Sequence, residues 1–86
     1  MYNQNDNVNT TEQYQTADIG SATALVSAGY SLASLNKTNP RRALFVFENS
    51  SDLQSTLKEY WSGSLSVDAK TYFETQKWLK SRIYNG

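Results

Sequence analysis

The chain contains no cysteine and no histidine. Without cysteine there is neither a disulfide framework nor a thiolate metal site, and the composition gives no sign of an oxidising compartment. Without histidine the commonest general base and the commonest metal ligand are both missing, which leaves carboxylates, hydroxyls, amines and guanidinium groups for any chemistry. Serines are plentiful but have no evident activating base and no sharp nucleophile turn. The four glycines are isolated (Gly20, Gly29, Gly63) or terminal (Gly86), which excludes a glycine-rich phosphate loop. No apolar run approaches the roughly 20 residues of a membrane-spanning helix, and residues 1–6 have neither the positive start nor the apolar segment of a signal peptide. A cytoplasmic location is the expectation. An excess of one charge is also lacking, since basic and acidic residues number eight each. That balance argues against a protein that grips nucleic acid by bulk charge.

What is present is enough for one small core. A chain of 86 residues makes a single domain that buries roughly 60–65% of its unfolded surface, so its stability margin is narrow and a partner subunit would widen it. Two tryptophans, six tyrosines and three phenylalanines supply apolar bulk. Residues 1–13, rich in Asn, Gln and Thr and without a core-forming pattern, read as a flexible N-terminal segment ahead of a compact domain over 14–86. The densest apolar run is Arg41-Arg42-Ala43-Leu44-Phe45-Val46-Phe47-Glu48, closed at both ends by turn formers, and it reads as the central strand of a small sheet.

The remaining elements follow in order. Gln13-Tyr14-Gln15 is a candidate edge strand, and Thr16 or Asp18 caps a helix reaching about Ala28, with Ile19, Ala22, Thr23 and Val26 on one stripe and Gly29 at its exit. Small residues from Gly20 to Ala24 let that helix lie close to a sheet. Tyr30 to Leu35 reads as a strand, and Asn36-Lys37-Thr38-Asn39-Pro40 turns the chain into the central strand as an antiparallel hairpin, its phenylalanine face toward the helices. Asn49 or Ser50 caps a second helix that buries Leu53, Leu57, Tyr60 and Trp61 and ends near Gly63. Asp68 caps a last helix of about sixteen residues. The expected fold class is α+β: a two- or three-stranded antiparallel sheet packed against three helices in the order (β)αββαα. Its expected core is Ala43, Phe45, Phe47, Leu32, Leu53, Leu57, Tyr60, Phe73, Leu79 and Ile83.

Several segments taken together resemble a domain-of-unknown-function family of small bacterial, phage and mobile-element proteins. They are Tyr14-Gln15-Thr16-Ala17-Asp18, Ala22 with Leu25, Ala28-Gly29-Tyr30, Pro40 through Glu48, Asp52-Leu53, Tyr60-Trp61-Ser62-Gly63, Val67-Asp68 and Leu79 through Tyr84. The resemblance covers about residues 14–84. It implies a phage or mobile-element context and carries over no catalytic residue.

The sharpest functional expectation is a non-enzymatic accessory protein that binds nucleic acid weakly through the basic hairpin and the last helix. Lys37, Arg41 and Arg42 stand at the hairpin turn, and Lys77, Lys80 and Arg82 on the helix, with Lys70 seven residues before Lys77 on the same face. A protruding basic ribbon and a basic helix are what phosphate contact requires, and aromatics such as Trp78 or Tyr84 can stack on unpaired bases. The balanced charge, and Glu74 and Asp68 within the basic helix, weigh toward a merely solvated face. The alternative is a protein–protein adaptor or inhibitor, homodimeric in one version, that uses Tyr60, Trp61, Trp78 and Tyr84. Against it stands the simpler packing of Trp61 on Trp78 between the last two helices. Catalysis ranks last. Glu48 with Asp52 is the first carboxylate pair to inspect for a magnesium-dependent nuclease, but no lysine follows Glu48 by two residues and Asp52 suits a helix end. The reading is therefore no enzyme and no cofactor, with DNA or RNA, a host or phage protein, or a second copy as the candidate partners, and no membrane.

Overall fold

A computed structural model of the chain describes residues 12–85. Within it run strand β1 (Gln13–Thr16), helix α1 (Ile19–Ser27), strands β2 (Ser34–Asn36) and β3 (Leu44–Glu48), and helices α2 (Ser51–Ser62) and α3 (Ala69–Asn85). The fold is a small α+β domain in the expected order, its three-stranded antiparallel sheet arranged β1-β3-β2 with β3 in the middle. Of the N-terminal stretch read as flexible, residues 1–11 lie outside the described part. Gln13 opens β1, and the carbonyl of Glu12 accepts from the Asn49 amide at 3.0 Å.

Side chains alternate across a strand, so the register fixes what each sheet face holds. Tyr14 opposite Phe47, and Thr16 and Leu35 on either side of Phe45, form the inner rows. Phe45 and Phe47 join Ala22, Leu25, Leu53, Leu57 and Leu79 in one buried cluster, so the phenylalanine face does meet the helices. On the outer face Val46 lies between Gln15 and Ser34, and Leu44 lies opposite Asn36.

Helix α1 is the hub. Its five residues Ser21 to Leu25 are all buried, which only a helix enclosed on several sides allows, and its mostly small side chains let α3, α2 and β1 all approach it. Asp18 caps it, its Oδ2 accepting from the Ser21 amide at 2.8 Å, while Thr16 Oγ1 accepts from the Asp18 amide at 3.0 Å. The two polar residues it buries, Ser21 and Thr23, donate back to the carbonyls of Asp18 and Ile19. At its end Gly29 takes φ +110°, and the Tyr30 amide donates to the Leu25 carbonyl. Ser50 is the cap of α2, its Oγ accepting from Leu53 N, while Asn49 holds the Gln54 side chain. Gly63, at φ +82°, ends that helix.

Four details depart from the sequence reading. Strand β3 begins at Leu44, not Arg41, because Asn39 to Arg42 close a turn, the Arg42 amide donating to the Asn39 carbonyl at 3.1 Å. Residues 30–33 stay outside the ladder apart from one bond, Ala33 N to Val46 O. Tyr30 is instead committed to α2, its hydroxyl 3.0 Å from Thr56 Oγ1. Phe73, expected in the core, is 61% exposed: the inward side of α3 belongs to Leu79, Tyr72 and Ile83, and Phe73 lies around the helix from them. Trp61, expected to be buried by α2, is 64% exposed.

Candidate functional site

The hairpin loop holds its own shape. The Asn36 side chain accepts from the Thr38 amide and the Asn39 side chain from the Arg41 amide, each at 2.9 Å, and Pro40 fixes the backbone between them. A loop stapled twice by asparagine side chains presents Lys37, Arg41 and Arg42, all exposed, from a defined turn. Facing that turn is the end of α3. An open cleft of about 460 Å³ is bounded by Lys37, Asn39, Pro40, Arg41, Arg42 and Ala43 on the loop and by Ile83 and Tyr84 on the helix.

Helix α3 starts at Asp68, whose Oδ2 accepts from both the amide and the hydroxyl of Thr71 at 2.9 Å. Those bonds hold the Asp68 carboxyl below its ordinary value. The helix docks on α1 through Tyr72, whose hydroxyl donates to the Gly20 carbonyl, and through fully buried Leu79. At about 3.6 residues per turn, the side away from Leu79 carries Lys70, Phe73, Lys77, Lys80 and Tyr84 in a single strip with alternating steps of three and four. Lys77 Nζ sits 5.4 Å from the centre of the Phe73 ring, and the strip runs toward Tyr84 and the cleft. Arg82 lies on another flank, its guanidinium 5.4 Å from the centre of the Trp78 ring.

Of the six basic residues singled out from the sequence, Lys37, Arg41 and Arg42 therefore gather at the cleft, Lys77 and Lys80 share the α3 strip leading to it, and Arg82 is directed elsewhere. The four aromatics proposed as a protein interface are spread out. Tyr84 borders the cleft, Trp78 pairs with Arg82, and Trp61 stands edge-on to Tyr60 at 4.8 Å beside a second hollow lined by Tyr14 and Leu57. Tyr60 is turned inward, half-buried near Gly20; burial, together with neighbouring Tyr72 and Asp18, raises its pKa above 10.0. Phe73 was missed as a surface residue because an isolated phenylalanine at helical spacing reads as core. The signal that could have found it is its place in step with Lys70, Lys77 and Lys80 instead of with Leu79.

Glu48 is exposed at the end of β3 and Asp52 exposed in the first turn of α2. Among the described residues no group of three or more acidic side chains gathers as a metal site would require, and no helix is long and apolar enough to cross a membrane. Residues 11–85 match the sequence model of a family described as Domain of unknown function (DUF5659). No curated protein and no solved structure matches the chain.

Proposed function

Because the chain belongs to the DUF5659 family, whose description assigns no activity, we propose its function from its surface chemistry: a non-enzymatic accessory protein of a phage or other mobile element that binds nucleic acid through the hairpin loop and α3. The observation that carries this reading is the shared cleft. Lys37, Arg41 and Arg42 on a self-stapled loop border one cleft with Tyr84, the last residue of the α3 strip that bears Lys77 and Lys80, and cations gathered in a cleft concentrate their field there. A zero net charge is compatible with it, since phosphate contact depends on where cations sit, and weak, salt-sensitive binding is what a handful of them supplies.

The test is a titration against labelled DNA and RNA at about 50 and 200 mM salt. For five phosphate contacts the affinity falls about 100-fold on a single strand and about 500-fold on a duplex between these conditions. The Arg41→Ala/Arg42→Ala protein binds more weakly at low salt and shows a shallower salt dependence. No binding at the lower salt, or binding indifferent to the double substitution, would remove this reading.

A second reading, protein–protein association, has its own observation: Tyr84, Trp61 and Trp78 are 81%, 64% and 45% exposed. Large aromatics at this exposure are the side chains that dominate interface hot spots. Sedimentation over a wide concentration range decides its homodimeric version. A dimer weakened by Trp61→Ala or Trp78→Ala supports self-association, and a monomer throughout rules it out.

A further inference from the structure

We infer that the nucleic acid this protein takes is single-stranded, and that Phe73 and Tyr84 are its base-stacking residues, with Lys77 and Lys80 between them on the sugar-phosphate backbone. The inference rests on the nucleic-acid reading above and narrows it. Phe73 and Tyr84 are 61% and 81% exposed, far more than either ring needs for packing. They lie on the same strip of α3, about 16 Å apart along the axis at roughly 1.5 Å per residue. An aromatic, two lysines and an aromatic in that order alternate stacking faces with cations, the combination that holds an unpaired strand without reading its sequence. Paired bases offer no face to such rings, because stacking within the duplex already occupies them. A helix that reads the duplex major groove instead presents polar hydrogen-bonding side chains to base edges.

The contact at Phe73 fits this role. Lys77 Nζ stands 5.4 Å from the ring centre, so a cation already occupies the neighbourhood of a π face. When a base stacks on Phe73, Lys77 has only to swing to the adjoining phosphate. At the far end Tyr84 borders the hairpin cleft, so a strand leaving the strip passes directly to Arg41 and Arg42. The strip is cationic apart from its rings, and that charge selects a polyanion over a protein groove. The two rings are separated by lysines and do not make the continuous apolar face with which an amphipathic helix enters a lipid surface.

The experiment compares labelled single-stranded DNA, single-stranded RNA and duplex DNA of equal length, with anionic-lipid vesicles as a fourth probe. The proteins are the full chain and its Phe73→Leu, Tyr84→Leu and Lys77→Ala/Lys80→Ala variants. Leucine keeps apolar bulk at an exposed position and removes the π face. The expected result is binding to single strands in preference to duplex. Phe73→Leu and Tyr84→Leu each weaken it by about 5-fold or more without changing its salt slope, whereas the double lysine variant lowers that slope by about 1.4. The two single-stranded probes divide DNA from RNA as the target. Equal or tighter binding to duplex, or single-strand binding that ignores both leucine variants, overturns the inference while leaving the broader reading in place. No binding to any nucleic acid, with or without vesicle binding, overturns both.

Discussion

Gly20 sits where a side chain would collide. A Cβ built there comes 2.5 Å from the hydroxyl oxygen of Tyr60, and the Gly20 carbonyl accepts from Tyr72, so the start of α1 is wedged between side chains from both other helices. Gly20→Ala gains up to about 1 kcal/mol in helix propensity but must displace a ring held against α1, an overpacking cost of about 1–3 kcal/mol. The expected net effect is a loss of roughly 1 kcal/mol in urea unfolding. In a Tyr60→Phe background, which removes the colliding oxygen, the same substitution becomes neutral or stabilising. An equal loss in both backgrounds would show that Tyr60 is not what the glycine makes room for. Asp68 supports a prediction of another kind. Its folded pKa lies below the ordinary 3.8, so the stability it contributes is present above that value and is lost as pH falls through the depressed one. Asp68→Ala therefore melts below the parent protein at neutral pH, and the gap in melting temperature closes on acidification below 3.8. A gap that ignores pH would mean that the aspartate acts through something other than its charged cap. Asp68 could be assigned from the sequence as a cap because capping is a local demand; Gly20 could be assigned as a packing glycine, but its expected neighbour was the sheet, whereas the side chains it admits come from α2 and α3. Phe73 was misassigned to the core: its step with Lys70, Lys77 and Lys80 marked it as outward, but that signal competes with the pull of an isolated phenylalanine toward the core until the docking side of the helix is known.

At the scale of elements, turn chemistry was legible and strand length was not. Asn36, Asn39 and Pro40 mark a turn in any context, and the structure uses all three. The lengths of β2 and β3 depend on how far the ladder continues past that turn. There the backbone of Arg41 and Arg42 bonds within the loop instead of across to β2. The loop is thus a separate, locally closed element, and it carries the three basic residues of the hairpin. Asn39→Ala removes the acceptor for the Arg41 amide from an exposed site, so global stability changes by no more than about 0.5 kcal/mol. Amide exchange at Arg41 nevertheless accelerates, and nucleic-acid affinity falls because the arginines are no longer held in place. Unchanged exchange at Arg41 would show that the backbone turn alone shapes the loop. The α1 hub was only partly legible: its stripe, Thr23 included, could be read, but not the burial of Ser21, because a hydroxyl that bonds back to its own helix looks polar in sequence and behaves as a small packing group in the fold.

At the scale of the whole molecule, the chain divides its few large apolar side chains between holding itself together and facing outward, and α3 shows both uses. Leu79 is completely buried and joins α3 to Leu25, Phe45 and Leu53, whereas Phe73, on the same helix, is mostly in solvent. In a domain this small, total stability is of the order of 5–15 kcal/mol, and truncating a core leucine costs about 2–5 kcal/mol. Leu79→Ala should therefore bring the domain close to unfolding at moderate temperature, with loss of tertiary signal throughout because Leu79 belongs to the one cluster shared by sheet and helices. Phe73→Ala should leave the melting curve within about 0.5 kcal/mol of the parent protein. If the two substitutions cost the same, Phe73 is packed in solution and its availability to a base is lost. If Leu79→Ala alone is destabilising, the outer strip of α3 contributes little to folding, and its rings and lysines are free to serve an external ligand.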